Sequence, residues 1–205
     1  MDAYSEYREI NIVHFNKKIK QYKRGAKAVS YGSEGSQKIR FEVLSEIGNL
    51  NGKTILDVGC GLGDFYGFLK NKGIEPKKYV GIDINPLMIS KAKKNYPDAK
   101  FFVGDLLKII PEGRFDYVFQ SGIFNLVFQK WQKITYKILT QMYNLSKIGV
   151  GSNFLSTLTP FKKDKNSYYA DPNKIINFIY THLSKNFVLR HNYKPNDFTV
   201  YIYKK

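Results

Sequence analysis

The chain has 205 residues, of which 43% are hydrophobic and 16% aromatic, so it is long enough for one domain with a substantial core and its composition excludes disorder. No stretch has the apolar length of a membrane span, and the start lacks the pattern of a signal peptide. The single cysteine excludes an intramolecular disulfide. These three observations together predict a cytoplasmic protein without a membrane partner. The formal net charge of +16 has two interpretations, a polyanionic partner such as RNA or general solubility.

Before residue 50 the pattern predicts a helix, a loop and a second helix. The loop is YGSEGSQ, residues 31–37. Four apolar residues define the buried face of the second helix: Ile39, Val43, Leu44 and Ile47. The segment KKIKQYKRGAK, residues 17–27, holds six bases and no acid. If RNA is the partner, this segment is the expected phosphate contact.

From residue 50 onward, short β-type runs alternate with helical patterns. Strands are predicted at residues 54–58, 79–83, 100–104, 115–121 and 150–156. Helices are predicted at residues 64–72, 86–95 and 129–146. Strands separated by helices require right-handed crossovers, which place the strands in a parallel sheet with helices on both faces. The pattern therefore predicts a doubly wound α/β fold.

The end of the chain departs from this alternation. Asp171 is the expected N-cap of a helix that begins at Pro172, and two further strands follow at residues 186–191 and 198–203. The connection between them, NYKPND, is too short to hold a crossover helix, so these strands are antiparallel neighbours. The prediction is a mostly parallel, seven-stranded sheet that ends in an antiparallel β-hairpin, with N-terminal helices.

Three glycines follow the first predicted strand, in ILDVGCGLGDF, residues 55–65. A parallel strand that enters glycines and then a helix presents backbone N–H groups to a ligand. The spacing differs from the G-x-G-x-x-G fingerprint of dinucleotide sites, which argues against a pyrophosphate ligand. Asp83 and Asp105 stand at the ends of the next two strands, so we expect them in one crevice with Asp57 at the carboxyl edge of the sheet. Each carboxylate alone also fits a turn residue or a helix N-cap.

Four segments, ILDVGCGLGDF, VGIDINPLMI, FFVGDLL and FDYVFQSGIFNL, resemble in order and spacing the successive motifs of class I S-adenosylmethionine-dependent methyltransferases. The resemblance covers about residues 50–205 and implies the seven-stranded, Rossmann-like fold of that family. It also implies S-adenosyl-L-methionine as the cofactor, S-adenosyl-L-homocysteine as the product, and no metal.

The resemblance implies that the glycine motif binds the methionine part of the cofactor. Gly59, Gly61 and Gly63 would let that part lie against the backbone, with Cys60 among them. Asp57 would organise the ammonium group of the methionine, directly or through water.

The adenosine part of the cofactor is assigned by the same resemblance. Asp83 would hold the ribose hydroxyls, and Ile84 would pack on the adenine. Asp105 would accept a hydrogen bond from the adenine amino group, and Leu106 would donate one from its backbone.

The residues that follow the fourth strand are expected between cofactor and acceptor. Gln120 and Ser121 would border the methionine part. Phe124 and Asn125 are candidate acceptor contacts, with a loop packing residue and a helix cap as the alternatives. The segment lacks the Asn/Asp-Pro-Pro-aromatic sequence of methyltransferases that modify exocyclic nucleobase amines or a protein glutamine, which weakens both of those functions.

His191 ends the sixth predicted strand, which runs parallel to the first five and therefore ends on the cofactor side. It is the first choice for a general base, with Tyr193 as an acceptor contact and Asp197 as a neighbour. A polar strand terminus is the alternative. His14 and His182 are expected to be structural or exposed.

Residues 1–49 are predicted to form a helical lid or substrate-binding segment over a methyltransferase domain of residues 50–205, because in related enzymes an N-terminal segment folds over the cofactor. Tyr31 would close on the acceptor as a catalytic and substrate-binding residue, and Arg40 would meet the methionine carboxylate. A plain helix start capped by Ser36 is the alternative.

The leading hypothesis is a methyltransferase that modifies an O or N atom of a small-molecule acceptor, because little of the chain is available to grip a large partner. An RNA (tRNA or rRNA) methyltransferase that uses residues 17–27 is the first alternative. An NAD(P)-dependent oxidoreductase is an alternative of another class.

Overall fold

One sheet of seven strands, with helices on both faces, organises the computed structural model, which describes residues 2–108 and 111–204. The strands are β1 (Thr54–Val58), β2 (Lys78–Asp83), β3 (Lys100–Val103), β4 (Phe115–Ser121), β5 (Ser146–Leu155), β6 (Phe187–Arg190) and β7 (Asp197–Tyr203). The helices are α1 (Ala3–Tyr22), α2 (Glu34–Ser45), α3 (Asp64–Asn71), α4 (Pro86–Asn95), α5 (Trp131–Leu145) and α6 (Pro172–His182). A short 3₁₀ helix, Ala26–Val29, lies between α1 and α2.

The strand order places a crevice near the middle of the sheet. The order is β3-β2-β1-β4-β5-β7-β6, with β1 to β5 parallel and β7 antiparallel to both of its neighbours. The chain direction across the sheet reverses at β1, so the connections that follow β1 and β4 diverge and leave space at the carboxyl ends of these strands. The predicted doubly wound sheet with a terminal antiparallel hairpin is confirmed.

Local capping explains where the helices begin. Asn85 caps α4 by accepting two backbone hydrogen bonds, at 2.9 and 3.3 Å, and Pro86 occupies the first turn. Asp171 caps α6 as predicted. The cap of α2 is Ser33 rather than Ser36, because Ser33 has an extended backbone and its Oγ accepts from the N–H of Ser36 at 3.1 Å.

The core forms two layers, one on each face of the sheet, because successive side chains of a strand point to opposite faces. Leu56 and Val118 lie in the layer that packs against α5 and α6. Ile55 and Phe119 lie in the layer that packs against α2, α3 and α4. β5 begins directly after α5, four residues earlier than predicted, because a register shift in the β4–β5 ladder lets Ser146 pair as well.

α1 lies across the carboxyl edge of the sheet. Near its start, Tyr7 is buried in the core layer that also contains Trp131 of α5. Near its end, Ile19 packs in a third, smaller cluster with Leu62 and Met88, which belong to the turn after β1 and to α4. α1 therefore covers the crevice between β1 and β4. Although α1 has 20 residues, none of the helices in the described part of the chain has the apolar length to cross a membrane.

Candidate active site

The turn after β1 brings the backbone of three glycines, Gly59, Gly61 and Gly63, to the carboxyl edge of the sheet. The N–H groups of Gly59 and Cys60 donate to the carbonyl oxygen of Ile82 at 2.7 and 3.0 Å, which ties the turn to β2. Gly59 has a φ of +71°, and a Cβ added there would lie 2.0 Å from Cγ2 of Ile123 in the loop after β4. Only glycine combines that backbone angle with so close an approach.

Asp83 connects the end of β2 to this turn. Its Oδ2 accepts from the N–H of Gly61 at 3.0 Å, and its Oδ1 accepts from the N–H of Asn85 at 2.8 Å. Burial raises the pKa of Asp83 to about 6, although the two hydrogen bonds act in the opposite direction. The carboxyl group thus holds the glycine turn in position, and its pKa of about 6 lies not far below neutral pH.

Asp57 lies within β1 and is fully buried beside the same turn. Its Oδ2 accepts from the hydroxyl of Tyr79 at 2.5 Å. Burial raises the pKa of Asp57 to about 7, against the effect of the Tyr79 hydrogen bond, and the nearby charge of Asp83 adds to the increase. Two adjacent carboxyl groups with raised pKa values are typical of a site that gains stability from a cationic ligand.

Asp105 follows β3 and is engaged by α1. Its Oδ1 accepts from the hydroxyl of Tyr4 and from the N–H of Leu107, and Nε of Arg8 lies 3.0 Å from Oδ2. The family resemblance implied that Asp105 accepts a hydrogen bond from the adenine amino group. In this structure α1 supplies the partners instead, so a ligand that uses Asp105 must displace part of α1 or share the carboxylate with it.

A cavity of about 410 Å³ lies between the glycine turn, α1 and the loop after β4, within the size range of small-ligand sites. Twelve of the predicted site residues line it: Tyr31, Arg40, Asp57, Gly59, Cys60, Gly61, Asp83, Ile84, Asp105, Leu106, Ser121 and Asn125. Among residues 2–108 and 111–204, no group of three or more His, Cys, Asp or Glu side chains is placed to hold a metal ion. The carboxylates and the glycine turn are therefore brought to one site.

Tyr31 closes the cavity from the segment before α2. Its hydroxyl lies 2.5 Å from Oγ of Ser121 and 3.2 Å from the carbonyl oxygen of the same residue, at the end of β4. Asn153 of β5 donates to the same Oγ at 3.0 Å. Burial raises the pKa of Tyr31 to about 12, so the hydroxyl is protonated at neutral pH. Tyr31 is therefore a hydrogen-bond donor at the wall of the cavity.

Arg40 on α2 is paired with a carboxylate of the protein. Its Nε and Nη2 donate to Oδ2 and Oδ1 of Asp197 at 3.1 and 2.6 Å. Burial disfavours the charge of Arg40, but Asp197 outweighs this effect and the pKa is raised. The methionine carboxylate predicted as its partner would thus join an existing ion pair.

The amino-acid sequence that forms this edge matches a known family. The profile of the methyltransferase domain family covers residues 49–191. The chain belongs to this family. The prediction of a class I S-adenosylmethionine-dependent methyltransferase is confirmed, and the oxidoreductase alternative has no support.

Two known proteins are similar to this methyltransferase over most of its length. Rv1506c of Mycobacterium tuberculosis, named as a methyltransferase, is 28% identical over 159 residues, or 74% of this chain and 93% of that protein. Magnesium protoporphyrin IX methyltransferase of Synechocystis, solved with bound S-adenosylmethionine, has a TM-score of 0.69 at 15% identity, over 97% of both chains.

Shorter matches involve two further named activities. Trans-aconitate 2-methyltransferase of Afipia carboxidovorans is 30% identical over 86 residues, which are 42% of this chain and 33% of that protein. An uncharacterised RNA methyltransferase of Clostridium acetobutylicum is 34% identical over 85 residues, which are 39% of this chain and 18% of that protein. The chain thus spans a third or less of these two relatives.

Gln120 and Phe124 lie outside the cavity wall of the methyltransferase. The amide of Gln120 donates to the carbonyl oxygen of Asn153 at 2.8 Å and so joins β4 to β5. Phe124 is 1% exposed and stacks on Phe154 of β5, with the ring centroids 5.3 Å apart. Phe124 is accordingly a loop packing residue, which was the alternative to an acceptor contact.

His191, Tyr193 and Gly63 also lie outside the wall. Nε2 of His191 is 2.7 Å from Oγ of Ser156, and the hydroxyl of Tyr193 is 2.9 Å from Oγ1 of Thr199. Gly63 stands at the N-cap of α3. The sequence correctly placed the carboxyl end of β6 on the cofactor side, and Lys194 of the connection after β6 reaches the cavity, but the ring of His191 lies against Ser156 and Phe198 and not in the cavity wall. The general-base role predicted for His191 has no support in this geometry.

The sequence analysis missed the contribution of α1 to the cavity. Six residues of α1 line the cavity: Tyr4, Tyr7, Asn11, His14, Phe15 and Lys18. They recur at spacings of three and four, which places them on one face of a helix, so a search for a polar and aromatic stripe would have found them. His14 was expected to be structural or exposed, yet its Nε2 lies 2.7 Å from Oγ of Ser30 at the cavity. Burial, with Lys18 and Lys17 nearby, lowers the pKa of His14.

Proposed function

We propose that this methyltransferase modifies an O or N atom of a small molecule held in the cavity at the sheet edge, with residues 1–49 acting as the lid. The observation that carries the proposal is the enclosure of the cavity by α1 and Tyr31, which leaves space beside the glycine turn for a compact acceptor rather than for a polymer. Relatives named for trans-aconitate and for magnesium protoporphyrin support a small-molecule acceptor.

The residues of the cavity fit S-adenosylmethionine. Gly59 and Gly61 carry no side chains and the side chain of Cys60 between them is buried, so a ligand can lie against the backbone of the turn. The buried carboxyl group of Asp83 suits the ribose hydroxyls, and that of Asp57 suits the methionine ammonium. When bound, the cofactor supplies a methyl group that its sulfonium activates.

The chain itself contributes orientation and exclusion of water. Alignment of two reactants in a closed site is worth roughly 7–11 kcal/mol of the barrier. Oδ1 of Asn125 is buried at the cavity and has no hydrogen-bond partner among the described residues, so it is free to accept from an O–H or N–H of the acceptor. The hydroxyl of Tyr31, which stays protonated at neutral pH, lies near Asn125 beside Gly122 and would donate its one proton to the acceptor in place of Ser121. Together these groups would fix which atom of the acceptor faces the methyl group.

Transfer of a labelled methyl group tests the proposal. The purified protein is incubated with S-adenosylmethionine labelled in the methyl group and with a cell extract separated into a small-molecule fraction and an RNA fraction. We expect label in the small-molecule fraction and a loss of that label in Asn125→Leu. Label that appears only in RNA would contradict the assignment of the acceptor.

An RNA acceptor is the second candidate, and one observation favours it. Lys18, from the basic segment of residues 17–27, lines the cavity, so RNA phosphates bound along the end of α1 would lie beside the site. This function predicts RNA affinity that falls steeply with salt concentration. No RNA binding near physiological salt would remove it.

A further inference from the structure

Three charged side chains from distant parts of the chain form a buried cluster at the cavity. Arg40 on α2 is paired with Asp197 at the start of β7. Lys194, in the connection between β6 and β7, has its Nζ 3.1 Å from Oδ2 of Asp197 and donates to Oγ of Ser36 at 2.8 Å. Both Arg40 and Lys194 line the cavity. The cluster thus joins the lid segment to the terminal hairpin.

The charges of this cluster do not cancel. The side chain of Asp197 is 0% exposed, that of Arg40 7% and that of Lys194 25%. Two cations therefore share one carboxylate, and one positive charge is left without a counter-charge in a site largely removed from water. Such a charge is costly unless an anion approaches it. The hydrogen bonds of Arg40 to Asp197 use Nε and Nη2, so Nη1 is not occupied by that carboxylate.

The other carboxylates of the cavity have partners elsewhere. Asp57 accepts from Tyr79, and Asp83 accepts from the backbone of the glycine turn. Asp105 is engaged by α1. Asp64 and Asp164 also line the cavity, where Asp64 accepts from Nε2 of Gln37 at 2.9 Å and Asp164 accepts from Oγ of Ser167 at 3.1 Å. Among the described residues, Asp197 is the one carboxylate within 4 Å of the Lys194 ammonium group, so the other cavity carboxylates do not pair with it.

We infer that Lys194 and Arg40 form an anion subsite within the cavity, which binds a carboxylate, a phosphate or a similar small anionic group of a ligand. The inference rests on the proposed function, because that function brings the ligand into this cavity. The group has two possible sources, the carboxylate of the cofactor's methionine and an anionic group of the acceptor. Both present the same chemistry to the cluster.

The decisive variant is Lys194→Met. It removes the ammonium group and keeps the apolar stem, while Arg40 continues to pair with Asp197, so the cluster becomes neutral. Lys185→Met is the matched control, because it changes the net charge by the same amount at an exposed residue that does not line the cavity. Lys194→Arg restores the charge and is expected to restore binding.

Two measurements distinguish the sources. Calorimetry compares S-adenosylhomocysteine with 5′-deoxy-5′-methylthioadenosine, which has the adenosine part but no amino acid. Thermal unfolding compares sodium phosphate with sodium chloride at equal ionic strength, for the protein saturated with S-adenosylhomocysteine and for the free protein.

If the cofactor is the source, Lys194→Met weakens binding of S-adenosylhomocysteine at least about tenfold and leaves that of the methylthioadenosine unchanged. If the acceptor is the source, the variant keeps its affinity for both compounds but loses the rise in melting temperature that phosphate produces. A Lys194→Met protein that matches Lys185→Met in both measurements would overturn the subsite. A wild-type protein that binds no S-adenosylhomocysteine would overturn the proposed function, and the phosphate measurement on the free protein would still decide the subsite.

Discussion

Replacement of Asp83 by asparagine tests how the glycine turn and the cofactor depend on one carboxylate. Asparagine keeps the shape of the side chain and one carbonyl oxygen, which can still accept from the N–H of Asn85. Its amide nitrogen then faces the N–H of Gly61, which now donates to Oδ2 at 3.0 Å. In the variant, two hydrogen-bond donors, the asparagine amide and the N–H of Gly61, therefore face each other at the point where β2 supports the turn.

The size of the effect follows from these contacts. A buried N–H group without a partner costs about 1–3 kcal/mol, which we expect as a loss of unfolding free energy. The ribose hydroxyls lose a charged acceptor in addition, and a hydrogen bond to a charged group contributes about 1.5–3 kcal/mol. Since 1.4 kcal/mol corresponds to a factor of ten, the affinity for S-adenosylhomocysteine should fall about ten- to a hundredfold.

Calorimetry at pH 8 measures this loss directly, because burial raises the pKa of Asp83 to about 6 and the wild-type carboxyl group is then ionised. Urea unfolding of the free protein measures the stability separately. Asp98→Asn is the matched control, since that carboxylate is 48% exposed and pairs with Lys70 at 2.7 Å, so its loss should change neither quantity by more than about 1 kcal/mol. An Asp83→Asn protein with wild-type affinity at pH 8 would show that this residue does not hold the ribose.

Three further predictions concern pH, the glycine turn and the histidine. Burial raises the pKa values of Asp57 and Asp83 to about 7 and about 6, and the cofactor favours the ionised form of both groups. The affinity for S-adenosylhomocysteine should therefore increase at least about tenfold from pH 5 to pH 8. An affinity that does not change with pH would contradict the binding roles of both carboxylates. The sign is opposite for the free protein, whose folded state binds these protons more tightly than the unfolded state, so its unfolding free energy should fall between about pH 4 and pH 7. Gly59→Ala should weaken cofactor binding and destabilise the fold by about 1–3 kcal/mol, because the new Cβ would lie 2.0 Å from Ile123, and calorimetry with thermal unfolding checks both effects. His191→Ala should leave the rate of methyl transfer within about threefold of wild type, since the residue lies outside the cavity wall, and a drop of a hundredfold would restore it as the general base.

Local patterns in the sequence were sufficient for the fold and for much of the site. Alternation of strands and helices, the glycine turn and the cap at Asp171 depend on residues close together in the chain, so they can be predicted without knowledge of distant contacts. The carboxylates Asp57 and Asp83 belong to this group, because a parallel sheet brings the ends of its strands to one edge. The sequence by itself thus determined the sheet, the crevice and the family.

Tertiary structure decided what fills and borders that crevice. Arg40 and Asp197 are 157 residues apart and meet only because α2 and the terminal hairpin pack at the same end of the sheet. The stripe on one face of α1 can be read from the sequence, but its contact with this cavity and the engagement of Asp105 depend on the angle at which the helix crosses the strands. Lys194 lines the cavity while His191, three residues earlier, lies against Ser156 and Phe198, and only the packing of the terminal hairpin decides this difference. Helix packing angles and contacts of this range arise from many weak side-chain contacts summed over the whole fold, and no local pattern of residues encodes them.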